Sequence, residues 1–404
     1  MFTFGPAKEA NDYCTQVVAD LATIGHERWN ALVAADRAAN LFVRYEYLHA
    51  LHATGCASRR TGWTPQFLTL WRGTPQTGAL VGAVPLYRKD HSFGEYVFDW
   101  SWADASHRLG RAYYPKLLAA VPFTPVAGTR LIAADEAARA QLADALFEHA
   151  RADDCSSLHV LFAPAAQNDL LVARGLLRRH GVQFHWRNAG YADFDAFLAA
   201  LAQPKRKKIR AERRKVHEAG VALERKTGHA ITAADWSFFY RCYRTTYAEH
   251  GSTPYLNQAF FEQLGAALPD HVLLVIARHG RRPIAASLGL FDATHLWGRY
   301  WGALEPVSCL HFECCYYQMI EFAIERRLQV FEGGAQGSHK LARGLDPVAT
   351  ESAHWLADRR LHDAVAHYLQ REATAIGETL DELNEHRAFA AAAAGAKSKS
   401  GAAP

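Results

Sequence analysis

Three short strands decide the fold: His271-Val-Leu-Leu-Val-Ile-Ala277, Pro283-Ile-Ala-Ala-Ser-Leu-Gly-Leu-Phe291 and His295-Leu-Trp-Gly-Arg-Tyr-Trp301. Apolar and aromatic runs separated by a turn such as Arg278-His-Gly-Arg281 are typical of an antiparallel meander. A similar set occurs about 200 residues earlier, in Phe67–Trp71, Gly78–Tyr87 and Tyr96–Trp100. The sequence therefore predicts an internal duplication.

The elements around each meander also repeat. Helical sequence precedes the meanders at Trp29–Gly55 and Trp236–Leu268, and a helix and a strand follow at Asp135–Asp153 with Leu158–Phe162 and at Phe312–Arg327 with Leu328–Phe331. This order resembles the core of the GNAT acyltransferases. We therefore expect an α/β (α+β) protein of two tandem GNAT-like domains, residues 1–190 and 191–389, each a mixed sheet flanked by helices. A chance likeness of two unrelated α+β domains is the alternative.

A basic helix is predicted close to the junction of the two halves. Residues 195–219 indicate a helical pair broken at Pro204, and eight of the eleven residues from Lys205 to Lys215 are basic. In the helix 204–219, the spacing places Arg206, Arg210, Arg213 and Arg214 on one side, and Arg206, Arg210 and Arg214 are the predicted substrate contacts. A phosphate, a pyrophosphate or an RNA backbone would neutralise this side. A solvated basic face is the alternative.

Bulk composition excludes several classes of protein. The chain has 404 residues, is 50% hydrophobic and carries a formal charge of +4, so it is neither disordered nor a DNA-coating protein. It has no apolar run of the ~20 residues that a transmembrane helix requires, and its first ten residues do not resemble a signal peptide. We expect a cytoplasmic protein with reduced cysteines, and a disordered tail at 390–404.

A glycine-rich loop follows the last predicted strand, in Phe331-Glu-Gly-Gly-Ala-Gln-Gly-Ser-His-Lys-Leu-Ala-Arg-Gly344. Glycines allow tight turns whose amide groups can face an oxyanion or a phosphate. We predict catalytic roles for Glu332 as a base, His339 as a proton shuttle and Lys340 as a cation, with substrate contacts from Gly334, Gln336, Gly337 and Arg343. A structural ion pair of Glu332 with Arg343 or Lys340 is the alternative.

Further substrate-binding residues are predicted from neighbouring elements. Arg299 and Tyr300 lie on a strand expected beside residues 328–331, and Tyr247, His250 and Tyr255 follow the helix that begins near Trp236. His311 and Glu313 are interpreted as a helix start. Tyr316 is interpreted as a core residue of that helix, and Cys315 as a buried residue and not a nucleophile. The histidines lack metal-site spacing and no Gly-x-Ser-x-Gly elbow is present, so we predict no metal, no covalent serine and no tightly bound cofactor.

Several segments together resemble a bacterial family of N-acyltransferases, known as peptidoglycan biosynthesis or recognition proteins and similar to the FemAB group. The resemblance spans positions 15–385 and is carried by Phe42–Glu46, Asp99-Trp100, Arg299–Ala303, His311–Glu313, Tyr316-Tyr317, Phe331–Lys340, Ala342–Gly344 and Ser352–Trp355. It implies a tandem GNAT fold with a basic helical segment near the domain junction. FemAB-like enzymes use that segment in moving an aminoacyl group from charged tRNA onto a peptidoglycan precursor.

The expected function is therefore transfer of an acyl or aminoacyl group onto an amine of a small molecule or a cell-wall precursor. Acyl-CoA and aminoacyl-tRNA are the candidate donors, which makes tRNA a candidate partner. Two alternatives remain open at this point. One is an acyl-CoA-dependent N-acetyltransferase of a small amine, and the other is a non-catalytic module that binds a cell-wall precursor or RNA.

Overall fold

The computed structural model describes residues 13–335, 337–385 and 387–389 and divides into two compact units. The first unit comprises residues up to 49, 57–178 and 352–365; the second comprises 50–56, 179–351 and the residues from 366 onward. The chain thus returns to the first unit near its end. Sequence analysis placed the division after residue 190 and did not predict this return. The tail at 390–404 lies outside the described residues.

The described residues form fifteen strands: β1 Tyr13–Val18, β2 Trp63–Pro65, β3 Phe67–Arg72, β4 Ala79–Val84, β5 Leu86–Lys89, β6 Lys116–Ala119, β7 Ile132–Ala133, β8 Ser157–Leu161, β9 Leu177–Arg187, β10 Val221–Thr227, β11 Val272–His279, β12 Arg282–Phe291, β13 His295–Ala303, β14 Val330–Glu332 and β15 Asp346–Leu356.

The α-helices in the same part of the chain are α1 His26–Ala35, α2 Tyr45–Ala53, α3 Trp100–Arg108, α4 Glu136–Ala152, α5 Ala165–Val172, α6 Phe194–Ala200, α7 Gln203–Glu218, α8 Ala233–Glu249, α9 Gln258–Ala267, α10 Leu310–Phe312, α11 Gln318–Glu325 and α12 Arg359–Glu385. A π-helical turn, Glu313–Tyr317, joins α10 to α11. Short 3₁₀ helices occur at Leu21–Thr23, Leu41–Val43, Arg59–Thr61, Gly228–Ala230, Pro269–His271 and Ser338–Arg343. No helix in the described ranges has the length and apolarity to cross a bilayer.

The first unit contains two sheets. Strands β1, β3, β4 and β7 form one, in that order, and β2, β5, β6 and β8 form the other, where residues 352–356 of β15 pair with β8. Strands β6 and β8 are parallel and are connected through α4. The apolar face of α4, including Leu142 and Leu146, is buried in the core of this unit. The predicted helix and strand after the first meander are thereby confirmed.

One predicted strand of the first unit, Tyr96–Trp100, is wrong. These residues form a loop that leads into α3, which begins at Trp100. The carboxyl groups of Glu95 and Asp99 bind the Nζ of the buried Lys116, at 2.8 and 2.5 Å. Side chains at positions i and i+4 cannot both reach one atom from a regular strand that lies flat in a sheet, so the segment takes an irregular course.

The second unit contains the sheet β10-β11-β12-β13-β14-β9, in which only the β13–β14 pair is parallel among the registers described. All three strands of the second meander are confirmed, as is the helical pair α6–α7. Ser287 donates a hydrogen bond to the Cys314 carbonyl, whereas the adjacent pair Ala286 and Gly302 faces α8. Neighbouring strand residues point to opposite faces, so α8 and the α10–α11 helix cover opposite faces of this sheet.

The close approach of α8 to β13 depends on Gly302, because a Cβ at this position would collide with the backbone of Cys242. We expect Gly302→Ala to lower the free energy of unfolding by about 1–3 kcal/mol through overpacking. The matched control is Gly377→Ala, on an exposed part of α12 with nothing within 4 Å, which should be neutral or stabilising by about 0.5–1 kcal/mol. Denaturant melts measure both; equal stability of the two variants would contradict the packing argument.

Candidate active site

A gap opens in the sheet of the second unit where β13 and β14 diverge. Their parallel ladder covers His295–Trp297 and Val330–Glu332. Beyond Glu332 the chain follows β9, because the Gly333 amide donates to the Phe184 carbonyl at 2.9 Å and the Phe184 amide donates to the Gly334 carbonyl at 3.1 Å. Strand β13 instead continues along β12 to Ala303. The result is a wedge between two neighbouring parallel strands.

A β-bulge on β13 lies beside this wedge. Leu288 pairs with Tyr300 and Gly289 with Gly298, which leaves Arg299 as the extra residue. A bulge interrupts the alternation of side chains along a strand. Tyr300 therefore packs on Tyr243 of α8, at 5.2 Å between ring centroids, and the charge of Arg299 acts on Tyr247 of the same helix. Two consecutive residues thus face α8.

A cavity of about 130 Å³ occupies the wedge. The π-helical turn brings Cys315 and Tyr316 to its wall, a feature that often marks functional sites. Burial raises the pKa of the Cys315 thiol, which argues against a thiolate nucleophile, as the sequence predicted. The lining residues are Ser287, Leu288, Gly298, Arg299, Tyr300, Trp301, His311, Cys315, Tyr316, Met319, Phe331 and Gly333.

Glu332 is buried at the end of β14, 8% exposed, where the ladder stops. Burial raises the pKa of its carboxyl to about 7, against the opposing effects of a hydrogen bond with Trp297 and the charge of Arg299. The Nε2 atom of His185 lies 3.9 Å from Oε2 of Glu332. Burial lowers the pKa of His185 to about 4, so this imidazole is neutral and supplies no counter-charge. Glu332 can therefore exchange a proton near neutral pH.

Lys340 is the second buried ionisable group here, 4% exposed. Its Nζ lies 5.7 Å from the centre of the Phe184 ring, and no carboxylate of the described residues comes within ion-pair distance of it. Burial lowers the pKa of Lys340 to about 8. Its charge also contributes to the low pKa of His185. The alternative of a Glu332–Lys340 ion pair is not formed.

His339 lies at the rim of the cavity. Its Nε2 is 3.1 Å from the hydroxyl of Tyr316, and its ring is 6.3 Å from that of His311. Burial lowers the pKa of His339 and takes that of His311 to about 4. The structure therefore brings His339 next to two lining residues, Tyr316 and His311, whereas no contact between His339 and Glu332 is found among the described residues. Its role as a proton shuttle stays a prediction.

Arg343 is 1% exposed and has protein partners on all three guanidinium nitrogens. It donates to both carboxylate oxygens of Glu212 at 2.8 and 2.9 Å, to the Tyr317 hydroxyl at 3.0 Å and to the His339 carbonyl at 2.7 Å. These contacts fasten the segment after the glycine-rich loop to α7, and the Glu332–Arg343 ion pair is not formed. These contacts show that Arg343 positions the segment after the loop. A contact of Arg343 with substrate stays a prediction.

Four of the predicted substrate-binding residues come together beside the cavity. Tyr247 and Tyr300 pack on the ring of Tyr243, and Tyr255 lies 5.8 Å from Tyr247. The guanidinium of Arg299 lies 5.0 Å over Tyr300. Burial raises the pKa of Tyr247 to about 12, so its hydroxyl remains a hydrogen-bond donor. His250 is different, because it is exposed and its Nδ1 donates to the Thr246 carbonyl at the end of α8.

The basic helix α7 presents a separate row of cations. Arg210 and Arg214 have side chains 59% and 66% exposed, with single carboxylates 3.6 Å away, and the half-buried Arg206 donates to the Leu201 carbonyl. Arg213 is instead held by Glu313 and Glu321, at 3.2 and 3.1 Å. The row of Arg206, Arg210 and Arg214 thus stays accessible to an anion.

The glycine-rich loop has the predicted geometry at two positions. Gly334 and Gly337 have φ of +82° and +99°, in the region that favours glycine. Gln336 lies outside the described residues.

As for metals, the one group in the described ranges with suitably placed ligand atoms is Asp153, Asp154 and Cys155 in the first unit. Arg88 contacts both of its carboxylates, at 2.9 and 2.7 Å.

Sequence reasoning missed several residues of this site. His185 comes from β9, which is far from β14 in sequence, and Glu212 is one acid within a basic run. His311 was interpreted as a helix start and its neighbours Cys315 and Tyr316 as core residues. The spacing of a regular α-helix would place Cys315 and Tyr316 in the core. The π-helical turn instead brings them to the wall of the cavity.

Comparison with known proteins identifies the family. The family model described as peptidoglycan biosynthesis/recognition, FemAB-like, matches residues 20–391. The chain belongs to the FemAB-like family. No curated protein has a significantly similar sequence.

Solved structures show the fold of this FemAB-like protein. A crystal structure of FemX has a TM-score of 0.52 at 11% identity, covering 84% of this chain and 98% of FemX. L-PGS from Bacillus licheniformis has a TM-score of 0.51 at 8% identity, with coverage of 85% and 96%. A tandem GNAT protein from the clavulanic acid pathway has a TM-score of 0.41 at 11% identity, with coverage of 86% and 99%. The predicted α/β fold of mixed sheets flanked by helices is confirmed, and FemX and L-PGS share it.

Replacing Glu332 should make the stability of the protein less sensitive to pH. The raised pKa means that the folded state holds this proton more tightly than the unfolded state, so stability falls as pH rises from about 4.5 to about 7. We compare the free energies of unfolding of Glu332→Gln and wild type at each pH. The value for the variant, relative to wild type, should be higher at pH 8 than at pH 5 by an amount on the order of 1–3 kcal/mol. Urea melts of both proteins at pH 5 and at pH 8 measure these free energies. The same difference between the two proteins at both pH values would contradict a buried Glu332 carboxyl with a raised pKa.

Removing the partner of Arg343 should destabilise the second unit. Glu212→Gln leaves a buried guanidinium without its counter-charge, which costs about 3–5 kcal/mol. The matched control, Glu218→Gln, removes an exposed carboxylate from the same helix and should change stability by less than about 0.5 kcal/mol. Equal melting curves for the two variants would show that the Glu212–Arg343 pair does not hold the loop.

Proposed function

We propose that this FemAB-like protein transfers an acyl or aminoacyl group onto an amine in the cavity of the second unit, with Glu332 as the general base. The buried Glu332 carboxyl, with a pKa of about 7 beside the gap between β13 and β14, carries this proposal. An amine is protonated at neutral pH and must lose a proton before it attacks a carbonyl. A carboxylate with a pKa near 7 can accept that proton.

The proposed reaction needs no covalent enzyme intermediate. Glu332 takes one proton from the ammonium form of the amine, the freed nitrogen forms a bond to the carbonyl carbon of an ester or thioester, and the carbonyl oxygen becomes an oxyanion. The second proton that the nitrogen loses as the amide forms goes to solvent. The protonated Lys340 is the buried cation available to stabilise that oxyanion. When the tetrahedral species collapses, the C–O or C–S bond breaks and the leaving group takes the proton from Glu332 or through His339. Charge and protons balance over this sequence.

The wedge suits the acyl part of a donor. Backbone groups of β13 past Trp297 lose β14 as a neighbour, and buried peptide groups require hydrogen-bond partners. A bound substrate with hydrogen-bonding groups can supply them along the open strand edge. The cavity of about 130 Å³ accommodates a small acyl or aminoacyl group, so the bulk of the donor lies outside.

The acceptor and the donor follow from the family and from α7. A FemAB-like protein of peptidoglycan biosynthesis or recognition has an amine of a cell-wall precursor as its natural acceptor class. The exposed Arg210 and Arg214, with the half-buried Arg206 beside them on α7, suit a phosphate-rich donor. Aminoacyl-tRNA offers more phosphates to this row than acyl-CoA does. We therefore rank the tRNA ester first among donors.

The pH dependence of turnover should follow the two buried groups. Activity requires Glu332 ionised, above about pH 7, and Lys340 protonated, below about pH 8, so kcat/KM should be bell-shaped with its maximum between these values. Glu332→Gln should lower kcat by about 10²–10⁴-fold, and Lys340→Met should lower it and remove the alkaline limb. The control Glu325→Gln, an exposed carboxylate of α11, should behave as wild type. An active Glu332→Gln enzyme would remove the base from the proposal.

The donor is tested by tRNA titration at several salt concentrations. Wild type should bind tRNA with an affinity that falls steeply with salt, and the Arg206→Ala/Arg210→Ala/Arg214→Ala variant should lose affinity and about two to three units of the log–log salt slope. The control Arg151→Ala/Arg281→Ala/Arg360→Ala removes the same charge from exposed positions outside α7. No binding by wild type at low salt would exclude the tRNA donor. Protection of the protein against heat by acyl-CoA would then support the thioester donor.

A further inference from the structure

An exposed apolar patch lies in the first unit around Phe93 and Trp100, and Phe98 and Leu109 of the same segment, residues 93–109, are exposed as well. The side chains of Phe93, Phe98, Trp100 and Leu109 are 54%, 58%, 39% and 47% exposed. The rings of Phe93 and Trp100 lie 5.0 Å apart. Half of the large apolar side chains that are exposed in the described ranges thus fall within one short segment. Scattered exposed apolar residues are ordinary, whereas a cluster marks a contact surface.

The same segment buries two of its carboxylates. Glu95 and Asp99 are 4% and 2% exposed, and both carboxylates bind the Nζ of Lys116, which is 0% exposed. Ser92 also accepts a hydrogen bond from this Nζ at 2.7 Å, and the Tyr113 hydroxyl donates to Asp99 at 2.7 Å. Burying carboxylates while exposing aromatic rings opposes the usual distribution of residues. The ion cluster therefore fixes the aromatic side chains in an outward position.

Basic residues surround the patch. Arg59, Arg60 and Arg108 are exposed, and within the described ranges no carboxylate lies at ion-pair distance from them. Arg108 precedes Leu109, and the 3₁₀ turn Arg59–Thr61 adjoins the patch through His91, whose ring contacts the Thr61 carbonyl at 3.0 Å and lies 5.4 Å from the ring of Phe93. The exposed acids of these same segments are Asp90 and Asp104. The rim is thus net positive.

We propose that this patch docks the protein on a bilayer that contains anionic lipid. Tryptophan and phenylalanine partition into the membrane interface, and arginines at the rim attract anionic headgroups. A standard protein interface buries about 800 Å² on each partner, more than a patch of four side chains supplies, whereas a bilayer needs no matching surface. This inference goes beyond the proposed transfer reaction and does not depend on Glu332.

Co-sedimentation with vesicles tests the proposal directly. The full chain should pellet with vesicles of phosphatidylcholine and phosphatidylglycerol, and much less with phosphatidylcholine alone. Phe93→Ser/Phe98→Ser/Trp100→Ser should lower the partition coefficient at least about tenfold, because these residues supply the apolar contact. Arg59→Gln/Arg60→Gln/Arg108→Gln should lower binding to the anionic vesicles alone and abolish its salt dependence.

The matched control removes exposed apolar side chains elsewhere. Val172→Ser/Leu304→Ser/Tyr368→Ser changes residues 37–39% exposed and should bind vesicles as wild type does. Absence of wild-type binding at low salt, or equal loss in the control, would overturn the proposal. A different outcome is that wild type does not bind vesicles but self-associates in sedimentation velocity, and that the Phe93/Phe98/Trp100 variant does not. That outcome would overturn membrane docking and assign the patch to a protein interface. We expect Glu332→Gln to bind vesicles as wild type does. The failure of the membrane proposal can therefore be distinguished from the failure of the transfer proposal.

Discussion

The divergence of β14 from β13 after Glu332 determines the chemistry available to the second unit. Two backbone hydrogen bonds to Phe184 draw Gly333 and Gly334 toward β9, and the glycines permit this turn. A regular parallel sheet would have paired these backbone groups and left no space between the strands. The same turn places a carboxyl group at the last paired position, with low solvent exposure and a neutral imidazole beside it. The cavity and the raised pKa of Glu332 therefore have one origin.

Buried charges serve different purposes in the two units. In the second unit, Glu332 and Lys340 are buried without an opposite charge at ion-pair distance, and their pKa values move toward neutrality. Glu212 with Arg343, and Lys116 with Asp99, are buried as pairs instead. A paired charge is costly to disrupt and so fixes a loop in place, whereas an unpaired one changes protonation at a physiological pH.

Much of the fold could be predicted from the sequence, because strand and helix periodicity is local information. The second meander, α4, β8 and the α6–α7 pair were predicted correctly. The strand predicted at Tyr96–Trp100 is wrong because the aromatic residues there are exposed and the acids buried, the reverse of what the pattern indicates. Glu332 could be predicted because it directly follows a strand and precedes a glycine-rich loop. His185 could not, because only the pairing of β9 with β14 brings it there. The bulge at Arg299 and the π-helical turn depend on tertiary packing and leave no distinct local pattern.

The central claim is that Glu332 is a buried carboxyl that exchanges its proton near neutral pH. A ¹³C NMR titration of protein labelled at the glutamate side-chain carboxyl measures this directly, with the Glu332 signal assigned by its absence in Glu332→Gln. We predict a transition at about pH 7 for this signal. A Glu332 transition near pH 4.5 would contradict the account, because such a carboxylate would be too weak a base to deprotonate an amine at a useful rate.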